Sequence, residues 1–339
     1  MSGRMRCRAG LSIVFFLAIS CSRKPEGERL AELPNSLGIG TIAVDETGIY
    51  LGLNSAGIMR LDLDGGSPLT LMPQHALGRE WLYAPVLGRD AVYAAINSIG
   101  GGIIGVPKDG GDYRVIVAEA TSCADAGAAY SLLADQSGLF WREVRCDLSS
   151  VSTVRTVPLD GGAPIDLGSA PYSGPPHENL GLAADSANLY WAETGSFVMM
   201  PKSGGPQTRF PVGVDVQSFP GVLEGRLYWS ANQSIYQMPT AGGAALELAR
   251  VGHQIFTPWG LGLRANTILA RGVDTVIDGD QEYNLYSLFE ITRRDDGTAS
   301  VRTITSDNRG LCCAALDGTY IYWVEYSGAQ QTLFRTPRR

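Results

Sequence analysis

Asn179–Phe210 reads NLGLAADSANLYWAETGSFVMMPKSGGPQTRF. Leu180–Ala184 is a short apolar run, and Asp185, Ser186 and Asn188 follow it with side chains that turn a backbone by bonding to it locally. Leu189, Tyr190 and Trp191 open a second strand, rich in the large residues that suit a pleated surface, and Gly195-Ser196 breaks it. Phe197–Met200 is a third strand, ended by Pro201. Gly204 and Gly205 then supply positive φ for a turn into a fourth strand from Gln207 towards Val212. Strict alternation is weak in LGLAA and LYWA, which fits a sheet covered on both faces. About 40 residues cannot bury a core of their own, so the unit must stack against copies of itself.

Those copies are present. Turns before a second strand fall near Asp45, Asp90, Asp135, Asp185, Glu224, Ala265 and Asp317. The matching glycine turns are Gly65-Gly66, Gly110-Gly111, Gly161-Gly162, Gly204-Gly205 and Gly242-Gly243, with a degenerate Asp296-Gly297. The spacing of about 40 to 50 residues is that of four-stranded blades rather than helical repeats. Seven units predict an all-β, seven-bladed β-propeller of antiparallel blades, with six blades as the alternative. After Thr332–Thr336 the chain ends at Arg339 without a fourth strand for the last unit. Glu26–Leu33 resembles the glycine turn and fourth strand of Gly242–Ala249, so residues 28–33 are predicted to close the last blade. Closure removes two open sheet edges.

The 339 residues are 45% hydrophobic and 18% charged, with 42 glycines, as expected of a turn-rich globular β protein rather than a disordered one. Arg4, Arg6 and Arg8 followed by the apolar Ala9–Ser20 read as a signal peptide over residues 1–20, too short to span a bilayer comfortably. Without it the chain has 24 basic and 34 acidic side chains, a net −10, which argues against nucleic acid as a partner. Ala18-Ile19-Ser20-Cys21 resembles the bacterial lipobox, which implies a diacylated Cys21 at the mature N-terminus and residues 21–27 as a tether. With Ser22 rather than Asp after the cysteine, the sorting rule of enteric bacteria implies an outer-membrane lipoprotein, facing the periplasm or the cell surface. Its acyl chains would hold it to the bilayer.

Phe140-Trp141-Arg142-Glu143, Tyr190-Trp191-Ala192-Glu193, Tyr228-Trp229-Ser230-Ala231 and Tyr322-Trp323-Val324-Glu325 resemble the YWTD repeats of low-density lipoprotein receptor propellers, and those of exported bacterial propellers of unassigned function. The likeness covers most of residues 38–336. Thr is never kept, and the acid appears only as Glu. Those receptor propellers have six blades, so their inter-blade acid contacts and ligands do not transfer. Gly-His and Trp-Asp do not recur as the signatures of WD40 repeats, and a Kelch repeat would place its glycine pair before its Tyr and Trp. The aromatic pairs are expected to be blade-to-blade core.

In such a blade the first-to-second and third-to-fourth turns share one face. The turns predicted there are short and uniform, whereas loops predicted on the other face vary: Thr121–Gly127, Pro171–Asn179, Gly252–Pro258 and Asp274–Tyr283. Variable loops on a rigid scaffold usually carry binding. The three histidines, His75, His177 and His253, precede innermost strands of alternate blades, about 12 Å apart on a ring of that size and too far for shared zinc ligation. His177, His253, Trp81 and Trp259 are the candidate ligand-binding residues of the funnel mouth, the tryptophans as flat surfaces for a sugar, peptide or cofactor, with packing under the loops as the alternative.

Asp278, Asp280 and Glu282 form a weak calcium candidate, since an EF-hand would place its glycine and last Glu differently; a solvated acidic loop is the default. Cys123 and Cys146, both in loops of the third unit, are a candidate disulfide in an oxidising compartment. Cys312 and Cys313, adjacent on an innermost strand, are expected to point to opposite sides as small buried residues, with a strained vicinal bridge as the alternative. A Gly-x-Ser-x-Gly elbow, a Walker loop, a dinucleotide fingerprint and a zinc-spaced histidine pair are all lacking. No cofactor and no catalytic residue is expected. The sequence therefore points to a non-catalytic, lipid-anchored envelope propeller that binds a protein, peptide or glycan. The alternatives are a hydrolase or lyase active in the central funnel and a structural component of an envelope complex.

Overall fold

The computed structural model describes residues 27–34, 37–54, 57–73, 81–82, 85–97, 102–118, 127–145, 151–171, 181–214, 216, 220–255, 262–278, 281–308, 310–328 and 330–339. These residues form seven antiparallel sheets with four strand positions, named A to D from the inside outward, position A being filled by two short strands in the second and sixth. Inner strands touch in ring order, the seventh returning to the first. No helix among the described residues is long and apolar enough to cross a membrane. The leader, Cys21, His75, His177, Trp259, Cys123, Cys146 and Asp280 lie outside the described residues.

The fourth blade shows why this sequence makes this sheet. Strand A is Leu182–Ala184, B is Asn188–Glu193, C is Ser196–Pro201 and D is Thr208–Pro211. Asp185 Oδ1 accepts the amides of Ala187 (2.8 Å) and Asn188 (2.7 Å), fixing the A–B turn with a side chain in place of backbone. Gly204 and Gly205 turn C into D at φ of 78° and 119°, where a side chain would be strained.

Consecutive residues of a strand face opposite sides, and the aromatic pairs use this to fasten two blade interfaces at once. Trp191 packs back onto Phe140 and Val154 of the third blade, while Tyr190 packs forward with Leu227 and Trp229 of the fifth. Tyr228 and Trp229 likewise divide between the sixth and fourth blades, and Tyr322 and Trp323 between the first and sixth. All of these rings are essentially inaccessible. Glutamate two residues after the tryptophan lies on the same face and accepts its indole N–H: Trp141 to Glu143 at 3.3 Å, Trp191 to Glu193 at 3.3 Å, Trp323 to Glu325 at 2.8 Å. Blade five has Ala231 there, and the buried Trp229 indole nitrogen has no partner among the described residues.

Glu28–Pro34 pairs antiparallel with Gln330–Pro337 as strand D of the seventh blade, so N-terminal residues close the ring. Glu28 stands opposite Arg335, at the end of strand C where the A–B and C–D turns lie, so the closing strand begins on that face. Arg335 ties the closing blade to the first there, donating to the Asp64 carboxylate (2.9 Å) and Leu63 carbonyl (2.8 Å). On the opposite side of the same seam Gln331 binds the backbone of Ile39 through both ends of its amide, at 3.0 and 3.4 Å.

Two expectations need correction. Asp274–Tyr283 is no irregular loop. Thr267–Asp278 and Gln281–Arg293 are paired without a break to Asp278–Gln281, making strands of 12 and 13 residues where the B and C strands of the other blades have six to eight. Nor do Cys312 and Cys313 point apart. Leu311 pairs with Glu325 and Ala314 with Trp323, so one extra residue is accommodated between them, and the two sulfurs lie 2.8 Å apart.

Candidate functional site

One face of the ring is held by contacts among its own turns. Asp45, Asp135, Asp185 and Asp317 each accept a backbone amide of their own A–B turn, at 2.6 to 2.8 Å. The second carboxylate oxygen is used as well. Asp45 pairs with Lys108 of the second blade and Asp135 with Lys202 of the fourth, tying neighbouring blades together. Asp185 and Asp317 instead accept the hydroxyls of Tyr190 (2.6 Å) and Tyr322 (2.8 Å). Burial alone would raise Asp45 and Asp135, but hydrogen bonds from the lysines and from Thr47 and Ser137 more than offset it and hold both below the usual carboxylate range. Burial and the Asp185 carboxylate together push the Tyr190 hydroxyl up to about 12.

The opposite face is irregular. Approaching it, the inner strand is bulged in the first, third and seventh blades. It is divided into two short pieces in the second and sixth, and is three residues long in the fourth and fifth. The B–C hairpin of the sixth blade projects here. Its inner neighbour pairs only as far as Gln254–Val273 and its outer neighbour only as far as Tyr286–Asp307. Thr275–Asp278 and Gln281–Asn284 therefore form a ribbon with no third strand among the described residues. Its four residue pairs project roughly 13 Å at about 3.3 Å per residue. Ile277 on this ribbon is 73% exposed, the most exposed large apolar side chain among the described residues.

At the root of the ribbon His253 Nδ1 meets Asp274 Oδ2, with 29% and 31% of the two side chains exposed. Asp274 Oδ1 also accepts the Gln254 amide at 3.3 Å, and Phe289 lies against the imidazole with 5.0 Å between ring centres. A carboxylate on Nδ1 leaves Nε2 as the ring nitrogen free to meet a ligand. Arg271, three residues before Asp274, reaches across to the seventh blade and donates to the carbonyls of Leu311 (3.0 Å) and Cys312. Trp81 stands opposite Asn97 in the broken inner strand of the second blade.

Of the weak calcium candidate, Asp278 pairs with Gln281 and Glu282 with Ile277, consecutive register positions that belong to opposite faces of the ribbon. Among the described residues no group of three or more His, Cys, Asp or Glu could hold a metal ion. The His253–Asp274 contact was not legible as a pair; both residues were visible as polar positions of one blade, but they stand 21 positions apart in sequence and only the folded sheet joins them.

No family model matches the sequence, and no curated protein matches it either. Solved structures do. Virginiamycin B lyase from Staphylococcus aureus is 12% identical, with a TM-score of 0.61 over 90% of this chain and 98% of that one. The WD40 β-propeller domain of Doa1 is 12% identical, with a TM-score of 0.62 over 91% and 97%. YCF48 bound to D1 peptide is 10% identical, with a TM-score of 0.62 over 93% and 96%. The likeness is one of fold. A WD40 propeller is thus a neighbour in shape although Trp-Asp does not occur in this sequence and Gly-His occurs once, at Gly252-His253.

Proposed function

We propose that this chain is a non-catalytic, lipid-anchored propeller of the bacterial envelope that holds an extended protein or peptide segment on its irregular face. The observation that carries this reading is the free ribbon at 275–278 and 281–284, whose unpaired strand edges and exposed Ile277 offer backbone hydrogen bonds and an apolar anchor together. An extended segment can add to such an edge as a further strand, with alternate side chains reading specificity. That a propeller of similar fold was captured as YCF48 bound to D1 peptide is consistent with a peptide ligand. A glycan would instead use Trp81 and Trp259, the flat side chains that the sequence offers for it.

Acylation of Cys21 would set the geometry of this encounter. Ser22–Gly27 reaches at most roughly 20 Å, and Glu28 begins at the turn-clamped face, so that face would look towards the bilayer and the ribbon away from it. Radioactive fatty acid should label wild-type cells and not a Cys21→Ala variant; label that persists in the variant rejects the anchor. Cys123 and Cys146 flank Gly127 and Arg145, which pair in the third blade, and their thiols should be unreactive under denaturing, non-reducing conditions.

The reading of binding is tested by cross-linking in intact cells followed by mass spectrometry. One polypeptide should be captured by the wild type and by His253→Ala. It should be lost when Val276–Tyr283 is replaced by Asn-Gly, which keeps the Thr275–Asn284 pair in register. Capture that survives this trimming overturns the reading. A second reading, a lyase or hydrolase at the channel mouth, is favoured by the His253–Asp274 contact. Virginiamycin B lyase, similar in fold, is recorded as catalytically inactive in a histidine-to-alanine variant. Here His253 would act as general base through Nε2. That reading requires partner capture to be lost with His253→Ala, or turnover that disappears with it.

A further inference from the structure

The seventh blade carries a chemical group that binding does not use. In a regular strand Cys312 and Cys313 would face opposite sides. Strand A slips by one residue against strand B, however, so that two residues oppose Val324 alone. The bulge brings the two sulfurs onto one side, 2.8 Å apart. Cys312 Sγ also donates to the Ile39 carbonyl at 3.0 Å, the oxygen that Tyr326 Oη (3.0 Å) and Gln331 Nε2 (3.4 Å) share. Arg271 brings its positive charge to the same strand by binding the Leu311 and Cys312 carbonyls.

We infer that Cys312 and Cys313 are a two-electron redox site, in which Cys312 attacks a small hydroperoxide and Cys313 resolves the product to a vicinal disulfide. The roles follow from the surroundings. The neighbouring Cys313 thiol, aided by Tyr326 and the Arg271 charge, lowers Cys312 against the opposing effect of burial, whereas burial pushes Cys313 well above the usual thiol range. Exposure of 8% and 7% selects a small oxidant over a protein disulfide. In the first step the Cys312 thiolate attacks one peroxide oxygen. The O–O bond breaks, a sulfenic acid forms, and the departing alkoxide takes up the proton that Cys312 released. In the second, the Cys313 sulfur attacks the Cys312 sulfur; the S–S bond forms, the S–O bond breaks, and hydroxide leaves with the Cys313 proton as water. Two thiols and one hydroperoxide thus give one disulfide, one alcohol and one water. The site sits on the closing seam, where oxidation removes one of the three donors to the Ile39 carbonyl.

The test uses the full chain, reduced, then treated with hydrogen peroxide, alkylated under denaturing conditions and digested. Trypsin cuts after Arg309 and Arg335, releasing residues 310–335, whose only cysteines are this pair. The expected peptide is two hydrogens lighter than the reduced form, resists alkylation, and reverts with a reductant. Cys313→Ser should stop at a sulfenic acid on Cys312 that dimedone traps, and Cys312→Ser should leave Cys313 unoxidised. Arg271→Gln should slow disulfide formation several-fold while Arg271→Lys retains it. Full alkylation of both cysteines after peroxide treatment would overturn the inference, as would sulfenic acid forming on Cys313 in the Cys312→Ser variant. None of these outcomes bears on partner capture.

Discussion

The two ends of the inner strands are built by opposite rules. At one end four of the blades turn on the same short chemistry, an aspartate whose two oxygens are taken by its own turn and by a lysine or tyrosine. At the other end the same strands bulge, divide or stop early, and one hairpin runs on into solvent. The lesson is that the ring is clamped at one end of its strands. Where the clamp is, sequence is constrained; where it is not, backbone and side chains are available for other work.

Changes at the clamped end should therefore cost stability. The largest effect is expected at Gly65, whose φ is +85° and whose added Cβ would stand 2.7 Å from the Leu30 carbonyl of the closing strand. Gly65→Ala should cost about 2 kcal/mol or more in chemical denaturation. Its neighbour Gly66, at φ +108° with open space around it, should lose less on the same change. Equal losses would mean that contact with the closing strand is unimportant.

Asp45→Asn comes next, at about 1 to 2 kcal/mol near neutral pH, because a largely buried hydrogen bond to a charged partner is weakened. The sign of its pH dependence is fixed. Folding lowers the carboxyl, so the stabilisation is present above the unfolded pKa of about 3.9 and is lost as pH falls through the lower folded value. The gap between wild type and Asp45→Asn should shrink as acid is added below about pH 4. A gap that stays constant would remove the carboxylate from the clamp.

A smaller effect separates two tryptophans. Trp191→Phe loses an indole hydrogen bond to Glu193 as well as volume, while Trp229→Phe loses volume only. The first should be worse by about 1 kcal/mol. At the irregular end, replacing Val276–Tyr283 by Asn-Gly should change stability by no more than about 0.5 kcal/mol, since among the described residues the ribbon supports no third strand. A large loss there would make the ribbon structural and erase the contrast.

The constrained end was also the legible one. Asx turns and paired glycines require particular residues, so Asp185 and Gly204-Gly205 announced themselves wherever they recurred, and the likeness of 28–33 to other fourth strands foretold ring closure. The aromatic pairs were legible as core because few other roles suit adjacent large rings. What was missed depends on distance or register. Lys108 and Asp45 are 63 residues apart, and nothing local joins them. No residue type marks the extra residue that turns Cys312 and Cys313 to one side. The ribbon did carry a signal. Gly279-Asp280 between Thr275–Asp278 and Gln281–Asn284 has the sequence form of a two-residue hairpin turn, and its acids fit a solvated loop equally well.

One measurement sets the two ends against each other directly. A photo-cross-linking residue placed at Ile277 on the ribbon, or at the exposed Ser186 in a clamped turn, would be activated in living cells and its adducts compared. The account predicts a single discrete partner adduct from position 277, competed by excess unlabelled protein, and none from position 186. The same adduct from both positions, or from 186 alone, would contradict it.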